Sequence, residues 1–216
     1  MAAAETALAT RYKREQNHQI LQDISNTLAH LLRTYVPARL PKKKLEVVFA
    51  LPDEAALGKV KKDTVLVSAV LIDVIRSRAV QSVNQPIVRE EEEDGAVVEY
   101  RLGAPTFIEP RYLVTPWEAD PLENQIVLGA IMQYFFSYPV IAPEDVQGNA
   151  VVAGDRPVVE LDGELGLQQV LELFRAYERP YRPSLVYRLR VKMESIHRVA
   201  VRRVTEKVNI YRKVEA

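Results

Sequence analysis

The stretch Ser184-Leu-Val-Tyr-Arg-Leu-Arg-Val-Lys-Met-Glu194 is the most regular part of this chain. Apolar side chains occupy every second position, and three of the positions between them carry the cations Arg188, Arg190 and Lys192. Successive side chains of a β-strand point to opposite faces of its sheet, so this alternation predicts a strand with one buried face. The opposite face then carries a cationic stripe, defined here as those three side chains.

The cationic stripe has two interpretations. Charged side chains commonly cover the solvent face of an antiparallel sheet, so simple display to water is one of them. The other is contact with an acidic surface on a neighbouring subunit or a partner protein, because complementary charge steers and orients protein association. We predict such a contact for Arg188, Arg190 and Lys192.

The segment that follows, His197 to Lys213, is β-prone and basic. Its apolar residues, among them Val199, Val201, Val208, Ile210 and Tyr211, are interspersed with basic ones, among them Arg202 and Arg203. The alternation breaks at the arginine pair, which favours a bulge or two short strands. A long, half-apolar strand without a neighbour in its own chain is a donor for β-addition to another sheet edge. We therefore predict that these residues contact an adjacent subunit or another protein.

Three further segments are typical of strands. In Leu45 to Leu51 apolar residues occupy every second position, as in a strand with one buried face. Thr64 to Ile75 has apolar residues at both odd and even positions, which predicts a strand in the middle of a sheet with both faces covered. Phe107 to Trp117 is also extended, but it contains Pro110. Since proline cannot donate to the ladder, this segment is predicted to be an edge strand or to contain a bulge.

An acidic run, Glu90 to Asp94, separates two more predicted strands, Gln85 to Glu90 and Ala96 to Leu102. This arrangement indicates a hairpin with an acidic tip. A solvated loop is the favoured interpretation of the tip. The alternative, a site for a hard cation, lacks the ligand spacing of a calcium-binding loop.

Three helices are predicted. The first runs from about His18 to Tyr35 with one apolar stripe, and the third spans about Leu165 to Tyr177. The second begins at Asp120-Pro121-Leu122-Glu123, where Asp120 can cap the first turn and Glu123 can reach back to it. This helix is predicted to continue through Ile126, Val127, Ala130, Ile131, Tyr134 and Phe135 and to end before Pro139.

These elements predict an α+β fold, with a mostly antiparallel, twisted sheet and about three helices packed chiefly on one face. The 216 residues, 48% of them hydrophobic, suit one globular domain. We expect an N-terminal extension over residues 1–17, the α+β domain over 18–195 and a basic, extended C-terminal arm over 196–216.

The residues that usually carry chemistry are sparse. The chain has no cysteine, and the spacing of His18, His30 and His197 does not suit a metal site. A glycine-rich phosphate loop is missing. Asp73 is a carboxylate in an apolar strand, and a buried, catalytic role is one interpretation, but it has no evident partner residue, so a capped loop contact or a strand-end position is favoured. We predict no catalytic residue, no metal and no cofactor.

Two other classes of function remain as alternatives. A basic nucleic-acid-binding module is suggested by Tyr177, Tyr181 and Tyr187, which lie among arginines. Against it, the formal net charge of the chain is zero, and Tyr187 belongs to the apolar face of its strand. A small cytoplasmic enzyme would need a deep pocket furnished with clustered polar groups. No apolar run is long enough to span a membrane, and the N-terminus lacks the apolar core of a signal peptide, so we expect a cytoplasmic protein.

Four blocks resemble a known family. They are Ile24-Ser-Asn-Thr-Leu28, Tyr112-Leu-Val-Thr-Pro-Trp117 with Asp120-Pro121, Leu128-Gly-Ala-Ile131 through Tyr138-Pro-Val-Ile141, and Arg179-Pro-Tyr-Arg-Pro-Ser-Leu-Val-Tyr-Arg-Leu-Arg-Val191. In this order they are similar to the cap, or tail-terminator, proteins of phage-tail-like contractile injection systems. The resemblance covers roughly Ile20 to Glu194.

The resemblance implies a tail-terminator-like fold and a structural role without a cofactor. Members of the family form six-fold rings that stop growth of the inner tube and the sheath. The expected partners are therefore other copies of the chain, the inner tube protein and the sheath protein, with neither nucleic acid nor direct membrane contact. The C-terminal arm would pair with a neighbouring subunit or with sheath, and the protein would be cytoplasmic as part of an assembled injection particle.

Overall fold

The computed structural model describes residues 17–40, 43–61, 63–78, 85–91, 97–152 and 154–201. Within these ranges lie eight strands: β1 (Lys44–Val48), β2 (Thr64–Arg76), β3 (Ile87–Glu91), β4 (Val97–Leu102), β5 (Thr106–Pro116), β6 (Val158–Leu161), β7 (Leu185–Met193) and β8 (Arg198–Val201). The helices are α1 (Ile20–Tyr35), α2 (Glu54–Leu57), α3 (Pro121–Ser137) and α4 (Leu167–Ala176). Short 3-10 turns occur at Asn17–Gln19, Pro37–Arg39 and Pro143–Asp145.

The strands form two sheets. The main sheet has five strands in the order β1-β2-β5-β7-β6, in which β1 runs parallel to β2 and every other neighbouring pair is antiparallel. The smaller sheet has three antiparallel strands in the order β3-β4-β8. The predicted α+β class and mostly antiparallel pairing are thus confirmed, whereas the division into two sheets was not predicted.

Strand β5 lies at the centre of the main sheet, so the prediction of an edge strand is wrong. The ladder to β7 is interrupted at Glu109 and Pro110 and resumes in the same register on either side. The gap removes the need for the amide proton that proline lacks. The bulge lies in β2 instead, where the register with β5 shifts between Leu71 and Asp73.

One face of the main sheet is covered by the two longest helices, α1 and α3. Tyr112 of β5 and Tyr187 of β7 are both buried there, and the Tyr187 ring lies 4.9 Å from that of Phe135. The Tyr112 hydroxyl is 2.8 Å from Ser25 Oγ of α1. Burial raises the pKa of Tyr112 to about 12, although this hydrogen bond opposes the shift.

The other face is covered at one end only. Val170 and Phe174 of α4 pack there against Leu66, Leu113 and Val186 of the sheet, with Trp117 beside them. Side chains of β7 therefore alternate between the two faces, as the regular stretch predicted.

The start of α3 confirms the predicted cap. Asp120 Oδ1 accepts a 2.8 Å hydrogen bond from the Leu122 amide. Glu123 does not reach back to the cap, however, because its carboxylate accepts from Lys43 Nζ at 2.9 Å. Lys43 also donates to Glu118 at 3.1 Å, so it anchors the segment before β1 to the start of α3.

Candidate assembly surface

The cationic stripe lies on the part of the main sheet that α4 leaves uncovered. Arg188, Arg190 and Lys192 all point away from the face that α1 and α3 cover. Carboxylates of the neighbouring strands β5 and β6 lie beside them, together with acidic residues of nearby loops. We call this set of paired charges the ion-pair face.

Both arginines of the stripe have partners within the chain. Arg190 Nε donates to Glu109 Oε1 at 2.9 Å, and its Nη2 donates to Glu160 Oε2 at 3.3 Å. Arg188 Nε donates to the same Glu160 oxygen at 3.1 Å. Burial by itself would lower the pKa of Arg188, but the Glu160 hydrogen bond and the surrounding carboxylates outweigh that effect and raise it.

Lys192 is held in the same way. Its Nζ lies 3.2 Å from Glu194 Oε1 and 3.3 Å from Asp155 Oδ2. Burial favours the neutral amine, yet the two carboxylates prevail and raise the pKa of Lys192. The charge of the stripe is therefore balanced within the chain.

Glu109 is the buried member of the ion-pair face, with 4% of its surface exposed. Its Oε1 accepts from Ser77 Oγ at 2.6 Å as well as from Arg190. Burial would raise the pKa of Glu109, but these two hydrogen bonds and the nearby Arg188 lower it overall. The carboxylate thus stays ionised and ties β5 to β7 and to the residue after β2.

A second cluster extends this surface. Arg111 Nε lies 2.8 Å from Asp162 Oδ2, and its Nη2 donates to Glu164 at 2.8 Å. Asp73 has 48% of its side chain exposed and lies 3.7 Å from Arg111, which excludes the less favoured interpretation of a buried carboxylate. The bulge in β2 turns Asp73 toward this charged surface rather than into the core.

The ion-pair face is a surface of matched charges on a sheet. Neither of two pockets that flank the sheets, beside β8 and beside β1, is lined by its residues. In the part of the chain that the structure describes, no three His, Asp or Glu residues are placed to hold a metal ion. Contact of the stripe with another protein stays a prediction.

The C-terminal arm begins inside the fold. Arg198 to Val201 form β8, which pairs antiparallel with β4, with Arg198 opposite Leu102 and Val201 opposite Glu99. The premise that the arm has no neighbour in its own chain is therefore wrong for these residues. Val199 remains 53% exposed. The other predicted contact residues, Arg202, Arg203, Val208, Ile210 and Tyr211, lie outside the described residues.

The two strands of the predicted hairpin are confirmed. β3 pairs antiparallel with β4, and Arg89 Nε donates to Glu99 at 2.8 Å across the pair. Glu90 and Glu91 of the acidic run belong to strand β3, opposite Val98 and Val97, and residues 92–94 lie outside the described residues.

The outward face of α3 was missed by the sequence analysis. Ile126 is 53% exposed. The next outward turns carry Met132, 43% exposed, and Phe136, 90% exposed. The available signal was that this helix has apolar residues on all sides, whereas α1 and α4 each have a polar side.

Two of the four blocks that carry the family resemblance meet in space. Trp117 Nε1 donates to Ser68 Oγ at 2.9 Å, and the Arg182 guanidinium lies 4.9 Å from the centre of the Trp117 ring. Thr115 Oγ1 and Ser184 Oγ are 2.8 Å apart. The motif residues thus fix the end of the central strands.

No helix among the described residues has both the length and the apolar character needed to cross a membrane.

Comparison with known proteins identifies a family and two solved structures that this chain is similar to. The family model described as the Pvc16 N-terminal domain matches residues 23–206. A cryo-EM structure of the PVC sheath/tube terminator of an extracellular contractile injection system, in its extended state, shares 18% identity at a TM-score of 0.56. The anti-feeding prophage cap, a tube-terminating cap, shares 17% identity at a TM-score of 0.58.

The two structural matches cover 89% and 87% of this chain. They cover only 64% and 60% of the respective matched chains, so this chain spans less than two thirds of their length. At these identities the likeness shows a shared fold. No curated protein is similar enough in sequence to match.

Proposed function

The chain belongs to the Pvc16 N-terminal domain family, and from this membership we propose that it caps and terminates the inner tube and sheath of a contractile injection system as a homo-hexameric ring. The resemblance that the sequence blocks indicated, to the tail-terminator family, is confirmed by this match. The proposed role is structural rather than enzymatic.

The observation that carries the proposal is the family match over residues 23–206, which includes both sheets and all the α-helices except the first three residues of α1. The two solved structures with this fold are named as a sheath/tube terminator and a tube-terminating cap. A terminator acts by offering surfaces to other subunits, and this fold has such surfaces at its sheet edges.

Among the described strands, the outermost are β1 and β6 in the larger sheet and β3 and β8 in the smaller one, and residues 139–141 already cover part of the β6 edge. Outer strands present backbone groups that can pair with another chain. A contact between two different edges of identical subunits is heterologous and closes into a ring when the rotation allows. The six-fold ring size is what the resemblance to the cap proteins implies.

The test is tube growth. Cognate inner tube protein should be polymerised alone and with a substoichiometric amount of this chain, and tube lengths should be measured by electron microscopy. A terminator shortens and narrows the length distribution, and gold-labelled protein decorates one end only. Labelling along tube walls, or lengths unchanged at saturating protein, would contradict the proposal.

The sheath part of the proposal has its own readout. Sheath protein should be added to capped and uncapped tubes, and the distance between the end of the sheath and the end of the tube should be measured. The proposal expects the two ends to coincide only on capped tubes. Sheath that ends at random distances on capped tubes would restrict the role to the tube.

A further inference from the structure

Helix α3 departs from the rule that a surface helix has one polar face. In α1 and α4 the residues opposite the core are mostly polar, and the buried residues form a single stripe. In α3 and the turn that follows it, large apolar side chains remain exposed on the side away from the sheet: Leu122, Ile126, Met132, Phe136, Tyr138 and Val140. We call these side chains the α3 outer face.

The α3 outer face is large enough to need a cover. Phe136 is 90% exposed, Leu122 65% and Tyr138 59%. Together the six side chains expose an apolar area on the order of 600 Å², at the upper end of what monomeric proteins leave uncovered. It is close to the roughly 800 Å² that each partner contributes to a stable interface.

This face is also free of charge. Glu123 is the one ionisable carboxylate or cation between Pro121 and Ala142, and it is turned toward Lys43. Gly129 lies in the middle of the face, and beyond its own helix backbone a Cβ there would have no atom of the described residues within 4 Å. Glycine inside a helix costs about 1 kcal/mol relative to alanine, and nothing in the subunit itself requires it. Close approach of a partner protein to the helix backbone at this position would account for the glycine.

The C-terminal end of the α3 outer face lies at one edge of the main sheet. The chain after α3 runs beside β6, where the Val159 amide donates to Pro139 O at 2.7 Å and the Ile141 amide donates to Pro157 O at 2.9 Å. Val140 forms an isolated bridge with Val158. Phe136 therefore projects near the β6 edge.

The opposite edge of the same sheet holds a receptor of suitable size. An open pocket of about 400 Å³ lies beside β1. Its apolar lining consists of Val48, Ala50, Leu51, Pro52, Ala56, Val60 and Leu66, and its charged rim consists of Glu46, Asp53 and Lys59. An apolar floor with a polar rim is the usual anatomy of a protein–protein interface. We call it the β1-edge pocket.

We propose that the α3 outer face, led by Phe136, docks into the β1-edge pocket of a second copy of this chain. The projecting ring and the pocket lie at opposite edges of one sheet, so a single kind of contact can use both and repeat from subunit to subunit. The inference rests on the proposed ring and identifies the surfaces that form it.

The first experiment compares self-association of the unmodified chain with that of Phe136→Asp, by sedimentation over a range of concentrations. Burying an unpaired carboxylate at the centre of the contact should raise the Kd of self-association at least ~30-fold, as expected for a central aromatic residue. Because Phe136 is exposed, the substitution should leave the melting temperature unchanged. Leu167→Asp, at another exposed leucine on α4, is the matched control and should associate normally.

A second experiment identifies the receptor. Since the chain has no cysteine, Phe136→Cys and Ala50→Cys each introduce a unique thiol, the latter in the β1-edge pocket. The two variants are mixed, with and without inner tubes, and treated with a short bifunctional maleimide. A cross-linked pair should form rapidly in the mixture and at least tenfold more slowly when Leu167→Cys replaces Phe136→Cys.

The outcomes separate this inference from the proposed function. Tube capping with unchanged self-association of Phe136→Asp would overturn the contact and leave the cap intact. Normal self-association of Phe136→Asp together with lost tube binding would show that the tube covers α3, which also overturns it. Cross-linking to the β1-edge pocket without any tube capping would support the contact and contradict the cap.

Discussion

The Arg182 guanidinium lies 4.9 Å from the centre of the Trp117 ring, although the two residues belong to sequence blocks 65 positions apart. Arg182 Nη1 also donates to Glu118 O at 2.9 Å. The planar cation both stacks on the indole and reaches a backbone carbonyl, which an ammonium group cannot do in the same way. This contact joins the end of β5 to the segment before β7.

Arg182→Lys should therefore destabilise the fold despite keeping the charge. We expect a loss of about 1–2 kcal/mol in the free energy of unfolding, because the stacking and the fixed hydrogen bond are both weakened. Urea denaturation measures it. Arg175→Lys, at an exposed position of α4, is the control and should change stability by less than about 0.5 kcal/mol. Equal stability of both variants would mean that the Trp117 contact contributes nothing.

Glu109 should give the fold a component that depends on pH. Its pKa is lower in the folded chain than its ordinary value of 4.5, so its contribution is fully present above that value and is lost as pH falls through the folded-state pKa. Glu109→Gln should cost about 1–3 kcal/mol at pH 7, and the difference from the unmodified chain should shrink below pH 4.5. Glu172→Gln, on the exposed side of α4, serves as control. A difference that is constant with pH would refute this role.

Gly148 should not tolerate a side chain. Its φ is +86°, and an added Cβ would overlap the Asp23 carboxylate, which accepts hydrogen bonds from the Asn149 and Ala150 amides. Gly148→Ala should destabilise by about 3 kcal/mol, because it combines backbone strain with the disruption of a buried carboxylate. Gly154→Ala has a similar φ of +95° but open space around its Cβ, so it isolates the strain, about 1 kcal/mol. Thermal or urea unfolding should separate the two variants, and equal losses would contradict this account.

Two truncations should separate the parts of the C-terminal arm. Removing residues 202–216 leaves β8 in place, so stability should be kept while ring assembly or sheath attachment weakens. Removing residues 196–216 also deletes β8 and leaves β4 with an open edge, so proteolysis of the smaller sheet should accelerate. Electron microscopy and limited trypsin digestion provide the two readouts. If the shorter truncation leaves assembly and sheath attachment intact, the arm beyond Val201 has no assembly role.

The cationic stripe makes a salt-dependent prediction. If Arg188 contacts an acidic partner as well as Glu160, Arg188→Gln should weaken binding to inner tubes several-fold at low salt and less at high salt, because ions screen exposed charges. Arg175→Gln controls for net charge. Binding that is unchanged at both salt concentrations, with a reduced melting temperature, would assign Arg188 to the fold alone.

Short-range patterns predicted much of this fold. The alternation from Leu185 to Met193 gave both the strand and its buried face, because the side-chain period of a strand is fixed by its backbone. The cap at Asp120 followed from local hydrogen bonding in the same way.

The predictions that failed concern features that depend on residues distant in sequence. Pro110 argued against a central strand, but the interruption of the ladder that accommodates it is a property of the assembled sheet. The partner of Arg190, Glu109, lies 81 positions away, and no spacing rule connects them. The exposure of Ile126 was not predicted, because an apolar side chain gives the same sequence signal whether it is buried in its own chain or exposed on its surface.

The most direct test of the central claim is the mass of the protein in solution, measured by native mass spectrometry first alone and then with inner tube protein. The account predicts a complex with six copies of the chain, formed either alone or on addition of tube protein. A strictly monomeric chain that forms no complex under either condition would contradict it.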